Sequence, residues 1–598
     1  MKQLGLMKAR DLFVAGCLVA FTAVSTLAQL TTNDWQLPGS GLWTNAASWS
    51  PGVPNSDTDV ARFTADYAAN FDATQDVNIV VNGIDFEDTG GGTDATLNIR
   101  PVGGAVLTFG GNAPFVNSRS TTGGGAGITF YSPVDVGAVG LTMNGWGTIN
   151  LASTLTGSGT ITLASGSMEV RGNNATTFTG EFIANSGSLE LRGGNANAFG
   201  STDKGITING GRLRLRDLGA ITINEPVIIN GWNSSGSINN TASLGVNLAG
   251  AVTLNTSGCF SVTPWNSPIE PGRKMDTVFS GVISDDGNHR DNHFLLDAGS
   301  SANATGTLSR TSEFILSATN TWGGYTHITA NRPADGSGEF TGTVRLTNGN
   351  DRLPVTSTVI LGGITGGVGL VSCNGRLVLG GYNQELAGLV TWGSGSSNQV
   401  VGGSAALSTL TLNIAAGTTN AYAGILGGGR AYENNLALVL KGGGFLFLSG
   451  LNIYTGTTTV QAGTLAGTSS LAGALTVESD GTVAPGNGGI GTLSVASAIL
   501  GGAFEVEINR NGGAPLADKL AVSGSLTIGG TLTVKNIGGI LDLAVGDSFD
   551  VFDADSVGGS FDTVDLPPLS SGRAWNTARL NTDGIIAVVQ TGTLIKFQ

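Results

Sequence analysis

Hydrophobic and polar positions alternate in short runs through most of this chain, from about residue 76 to residue 535. The runs VNIVVNGIDF (77–86), GITINGGRLRLR (205–216) and STLTLNI (408–414) are typical. A period of two predicts half-buried β-strands. Gly-Gly, Asn-Gly and Ser-Gly pairs follow these runs and predict turns between the strands. No amphipathic helix of ordinary length is visible, so the pattern predicts an all-β fold.

One unit recurs three times and places an aromatic residue two positions before a glycine. Its copies lie at 174–180, 317–324 and 449–456, with Phe178, Trp322 and Tyr454 as the aromatic residues. A recurring unit that is too small to bury a core alone predicts stacked coils. We expect the glycine to permit a positive φ at each corner, and the aromatic ring to cover the corner of the next coil.

The N-terminus has the features of a secretory signal peptide, which we predict over residues 1–28. Basic residues precede an apolar run at 12–27, and small residues around Ala28 favour cleavage after it. The sequence around Cys17 is similar to a lipoprotein box, which leaves lipidation of Cys17 as an alternative. Export predicts a secreted or cell-surface location.

The remaining chain divides into three segments by composition: an N-terminal cap at 29–75, a repeat region at 76–535 and a C-terminal cap at 536–598. Trp43 and Trp49 lie in the first segment, among prolines. Such residues suit a cap, because the first coil of a stack has an open strand edge to protect. The alternative for the two tryptophans is an aromatic platform for carbohydrate. The last segment is richer in acidic and aromatic residues, which predicts a small β-rich cap.

The segment SGLNIYTGTTTVQAGTL (449–465) resembles the autotransporter-associated β-strand repeat family, also called passenger-associated transport repeat proteins. The continuation at 463–495 and the opening W-x5-W-x-P-G-V-P, Trp43–Pro54, are also similar. The resemblance implies a right-handed parallel β-helix that is displayed at, or released from, a bacterial surface. Autotransporters carry a membrane barrel, and the segment after Asn536 is too short for one. We therefore expect a passenger-like protein without an integral membrane domain of its own.

The charge balance changes the set of expected partners. The formal net charge is −15, and only 12% of the residues are charged. Binding to a phosphate backbone needs clustered lysine and arginine residues, so the composition argues against a nucleic-acid partner. Glycans and neighbouring cell surfaces are the partners that we expect.

The densest group of potentially reactive side chains is the segment Asp285–His293, which contains two of the three histidines; the third, His327, is isolated in sequence. A solvated loop between coils explains this segment. A catalytic or metal site is the alternative, since glycoside hydrolysis needs two carboxylates at a fixed separation. No phosphate loop, zinc helix or nucleophile elbow is found elsewhere.

The sequence therefore predicts no catalytic, cofactor-binding or metal-binding residue, no cofactor and no enzyme activity. The predicted function is that of an exported bacterial repeat protein with a structural or adhesive role, which could include glycan binding. The alternative is a β-helix polysaccharide lyase or glycoside hydrolase with its site near Asp285–His293.

Overall fold

The computed structural model describes residues 29–592 with the gaps given at the end of this paragraph. The signal peptide predicted over 1–28, including Cys17, lies outside the described residues. The predicted all-β class is confirmed, because the only helical elements among the described residues are the 3-10 turn Ala46–Ser48 and the one-turn helix α1, Leu580–Asp583. The gaps are 92–93, 122–124, 217–218, 232–235, 242–244, 263–275, 286, 288–290, 298–312, 332–339, 365–371, 394–396, 487, 511–512 and 540–542.

The first group of strands covers the N-terminal third of the chain. These strands are β1 Thr31–Trp35, β2 Gly41–Leu42, β3 Trp49–Ser50, β4 Ser56–Ala65, β5 Phe71–Gln75, β6 Ile79–Asp88, β7 Thr96–Pro101, β8 Leu107–Phe109, β9 Phe115–Ser120, β10 Gly127–Phe130, β11 Val134–Asp135, β12 Leu141–Leu151, β13 Leu155–Thr156, β14 Ile161–Val170, β15 Phe182–Ala184, β16 Ser188–Arg192, β17 Ile206–Ile208 and β18 Arg212–Arg216.

The central strands are mostly shorter. They are β19 Ile221–Ile223, β20 Val227–Ile229, β21 Ile238–Thr241, β22 Val246–Leu248, β23 Val252–Leu254, β24 Gly258–Val262, β25 Thr277–Phe279, β26 Ile283–Asp285, β27 Asp291–Asp297, β28 Phe314–Leu316, β29 Tyr325–Asn331, β30 Phe340–Leu346, β31 Thr358–Leu361, β32 Gly363–Ile364, β33 Ser372–Val378, β34 Gln384–Leu386, β35 Gly388–Thr391 and β36 Gln399–Val401.

The last group includes the longest strand, β44. The group consists of β37 Ser408–Asn413, β38 Thr419–Tyr422, β39 Ile425–Leu426, β40 Leu436–Lys441, β41 Phe445–Leu448, β42 Leu451–Asn452, β43 Thr458–Gly467, β44 Ser470–Pro485, β45 Thr492–Leu500, β46 Ala503–Asn509, β47 Leu516–Ala517, β48 Lys519–Ile528, β49 Thr531–Asn536, β50 Ser548–Asp550, β51 Phe552–Gly559, β52 Thr563–Asp565, β53 Arg573–Arg579 and β54 Ile585–Gln590.

Long parallel sheets dominate, and most strands pair in parallel with a strand further along the chain. One series runs β7–β10–β12–β14–β16–β18–β21–β24–β27–β29–β31–β35. A second runs β19–β22–β25–β28–β30–β33–β36–β39, and a third runs β34–β37–β40–β43–β44–β45–β48–β51. Equivalent positions therefore lie one strand spacing, about 4.8 Å, apart.

The core consists of rows of apolar side chains that follow this register. Leu189 lies beside Leu213, and Leu213 lies beside Ile238. All three side chains are buried. Because alternate residues of a strand point to opposite faces, every second position of each strand joins such a row, which explains the period of two in the sequence.

The corners differ in part from the expectation. Phe178, Trp322 and Tyr454 are fully buried. The glycines that follow Phe178 and Tyr454 do not have the expected positive φ, so that part of the prediction is wrong. A Cβ atom on Gly180 would lie 2.1 Å from the carbonyl oxygen of Gly159, so this glycine permits a close approach between chain segments.

Buried asparagines fix the same corners. Asn174 accepts a hydrogen bond from the Leu155 amide at 2.7 Å and donates one to the Ala198 carbonyl at 2.5 Å. Asn320 and Asn452 likewise accept hydrogen bonds from backbone amides, at 2.7 and 3.0 Å, through their side-chain oxygens. A buried backbone amide without a partner is costly, so each asparagine satisfies a group that the turn leaves without a strand partner.

The described part of the C-terminal segment contains a three-stranded antiparallel sheet in the order β50–β54–β53. Phe549 of β50 and Leu580 of α1 are both buried. The Trp575 indole donates a hydrogen bond to the carbonyl of Pro567 at 2.8 Å. This sheet contrasts with the parallel sheets before it.

Candidate functional site

The predicted cluster at Asp285–His293 is described only in part. Asp286 and residues 288–290 lie outside the described residues, and for 291–293 only the backbone, in β27, is described. The Asp285 carboxylate accepts hydrogen bonds from the amides of Gly287 at 2.8 Å and Gly323 at 2.9 Å. Each carboxylate oxygen therefore binds the backbone of one of two neighbouring turns, so that Asp285 holds the two turns together.

His327, which is isolated in sequence, is not isolated in the fold. Parallel pairing sets the backbone of His327 beside that of His293, which in turn lies beside Cys259. The imidazole of His327 is buried, and its Nε2 lies 2.5 Å from the carbonyl oxygen of Gly362. The sequence could not reveal this placement, because it depends on the register between strands.

Trp43 and Trp49 cannot serve as an open platform for carbohydrate, because both rings are buried. Trp43 donates a hydrogen bond to the carbonyl of Pro54 at 3.1 Å, and Trp49 donates one to the carbonyl of Trp43 at 2.7 Å. Trp35 packs edge-on against Trp49 with ring centroids 4.8 Å apart. These tryptophans form the aromatic core of the first strands.

A polar groove of about 800 Å³ lies on the outer face of β1, β4, β6 and β9. Its size falls within the roughly 300–1,000 Å³ of typical small-molecule sites. Five charged residues line it: Asp34, Arg62, Asp85, Glu87 and Arg119. Sequence reasoning missed this group, because the residues come from four different strands.

The charged residues of the groove are paired with each other. Arg62 binds Asp34 through two hydrogen bonds, of 2.5 and 2.9 Å, and these bonds raise the pKa of Arg62. Arg119 donates a hydrogen bond to Asp85 at 2.6 Å and lies 3.7 Å from Glu87. Paired, planar groups such as these offer both donors and acceptors at fixed positions.

A smaller pocket of about 170 Å³ contains a buried carboxyl group, that of Asp518. Its two oxygens accept hydrogen bonds from the amides of Gly491 and Glu507, both at 2.8 Å. Burial raises the pKa of Asp518 to about 6, and the nearby Glu507 charge adds to this shift. Asp518 therefore joins the turn before β45 to β46, and its oxygens are occupied by backbone groups.

Two further observations concern the described part of the chain. No group of three or more His, Cys, Asp and Glu side chains there is placed to hold a metal ion. Within the same residues, no helix has the length and apolar character needed to cross a membrane. Comparison with known protein families and with curated proteins gives no match for this chain.

Proposed function

We propose that this chain is an exported, passenger-like repeat protein with a structural or adhesive role, and that glycans at a cell surface are its partners. The observation that carries the proposal is the polar outer face of the parallel sheets. The Arg62–Asp34 and Arg119–Asp85 pairs form an open, water-accessible groove there. Asp285, by contrast, has both carboxylate oxygens bound to backbone amides.

The proposed architecture is a right-handed parallel β-helix. Its support is the ordered parallel pairing, in which most strands bond to a strand further along the chain, as one coil would bond to the next. The recurring corner, with a buried aromatic ring and a buried asparagine, also supports it. The resemblance of residues 449–465 to the autotransporter-associated repeats favours the same architecture and a place at a bacterial surface.

Cell fractionation tests the export part of the proposal. We expect the protein in the medium or at the outer surface, where added protease removes it, with a mature N-terminus at Gln29. Recovery of the full-length chain from the cytoplasm would contradict export.

A glycan array tests the adhesive part. We expect the purified mature protein to bind a subset of surface glycans while releasing no reducing sugar from them. Release of sugar or of unsaturated products would instead establish a hydrolase or lyase. Absence of binding to every glycan would overturn the adhesive role.

A further inference from the structure

The groove continues along the outer face of one wall as two rows of side chains. In the first row, strand register sets Asp34 beside Arg62, Arg62 beside Asp85, and Asp85 beside Asn117. Asn117 extends the row to Asn144 of β12 through a hydrogen bond of 3.3 Å. This row is polar from one end to the other.

The second row leads from the charged groove to an exposed indole. It places Thr64 beside Glu87 and Glu87 beside Arg119. Gly145 of β12 pairs with Ser118 of β9 in the last pair between these two strands, and Trp146 and Arg119 are the residues that directly follow this pair. The Trp146 side chain is 68% exposed, the largest exposed fraction among the large hydrophobic residues that the structure describes.

The charges indicate which class of ligand suits the groove. Both arginines bind carboxylates, and three carboxylates against two guanidinium groups leave one net negative charge. An anionic ligand would meet net repulsion and would have to displace these pairs. A neutral, hydroxyl-rich ligand can accept hydrogen bonds from the guanidinium groups and donate hydrogen bonds to the carboxylates without breaking the ion pairs between them. An indole beside such polar groups offers a flat apolar surface for the C–H face of a sugar ring.

We infer that this groove binds a neutral glycan segment. One sugar ring lies on the Trp146 indole, and the hydroxyl groups of the adjoining sugars bond to the Arg119–Asp85 and Arg62–Asp34 pairs. The inference rests on the proposed adhesive function and names its site and its class of ligand.

Calorimetric titration of the mature protein tests this site. The probes are cellohexaose, maltohexaose, xylohexaose and laminarihexaose, with trigalacturonate as the acidic comparison. We expect at least one neutral hexasaccharide to bind and trigalacturonate to bind at least tenfold more weakly. Trp146→Ala should weaken the neutral interaction by about two- to tenfold, because the sugar ring loses its aromatic contact.

Two further variants separate the site from the fold. Asp85→Asn leaves Trp146 in place but changes the partner of Arg119, and we expect it to weaken binding as well. Trp392→Ala is the matched control, because Trp392 is also exposed, at 51%, and directly follows β35, which pairs with β31. Trp392→Ala should bind as the unmodified protein does, and circular dichroism should be the same for all variants.

The outcomes distinguish the site from the function. If the protein binds a neutral glycan and Trp146→Ala leaves the affinity unchanged, the site is wrong and the adhesive function stands. Preferential binding of trigalacturonate overturns the ligand class. If neither the hexasaccharides nor a broader array show binding, both the site and the proposed function are refuted.

Discussion

Replacement of Asn174 with alanine tests whether buried asparagines hold the corners together. Asn174 is fully buried, and its side chain bonds the Leu155 amide and the Ala198 carbonyl. Alanine leaves both backbone groups buried without a side-chain partner. Each such group costs about 1–3 kcal/mol, so we expect a loss of roughly 2–6 kcal/mol in the free energy of local unfolding.

Asn209 provides a matched control in the same part of the chain. Its side chain also makes two hydrogen bonds, to Asn185 at 2.7 Å and from Asn230 at 2.8 Å, but it is exposed. Water replaces both bonds when Asn209 becomes alanine. The expected loss is therefore within about 0.5 kcal/mol, the usual range for a surface substitution.

Amide hydrogen exchange is the suitable assay, because stacked units open locally and a single unfolding transition is not guaranteed. For Asn174→Ala we expect amides in β13 and β15 to exchange at least about thirtyfold faster, while those of β45 and β48 keep their protection. Asn209→Ala should change exchange by less than about threefold. Equal effects of the two variants would refute the argument that burial makes the asparagine at the corner important.

Two further substitutions test the corners and the buried carboxyl group. Gly180→Ala should destabilise the protein by about 1–3 kcal/mol in urea unfolding, because the new Cβ would lie 2.1 Å from a carbonyl oxygen, whereas Gly39→Ala, with open space around it, should be neutral. The pKa of Asp518 is about 6, above the usual value of about 3.9, so the native state holds its proton more tightly. Below pH 4 the raised pKa of Asp518 therefore adds at most about 3 kcal/mol to the free energy of unfolding. This contribution is lost as the pH rises to 6. Asp518→Asn should remove this loss between pH 4 and pH 6 when urea unfolding is measured as a function of pH. If the variant shows the same loss, another titrating group causes it.

The strands were predictable from the sequence because alternation is a local property. In β18, Leu213 and Leu215 face the core, as the pattern of 205–216 predicts. The burial and the partners of the side chains on the opposite face of β18 were not predictable. Arg214 is buried and bonds Glu190 at 2.9 Å, and the register between β16 and β18 brings the two together. The spacing of residues within one strand carries no information about its register with a neighbouring strand.

The candidate site was hidden for the same physical reason. The register neighbours Arg62, Asp85 and Asn117 are separated by unequal lengths of chain, because the turns between strands differ in length. A fixed repeat period would have aligned them in the sequence, whereas unequal turns conceal the row. The corner aromatics were found because their motif is continuous in the chain, and the role of Gly180 was misjudged because its close neighbour, Gly159, belongs to another segment.

The outer faces of the parallel strands are the positions that are most free to carry a function. Inward positions are occupied by core rows, and corner positions such as Asn174 and Gly180 have little freedom to change, since a substitution leaves a buried group unpaired or forces a clash. Outward residues of the described wall, among them Arg119 and Trp146, can vary at little cost to stability. A wall of regularly spaced side chains also presents successive weak contacts to a polymer, and linked weak contacts raise the overall affinity without a deep pocket. An adhesive protein of this form should therefore bind long glycans more tightly than short ones, in proportion to the length of wall that they cover.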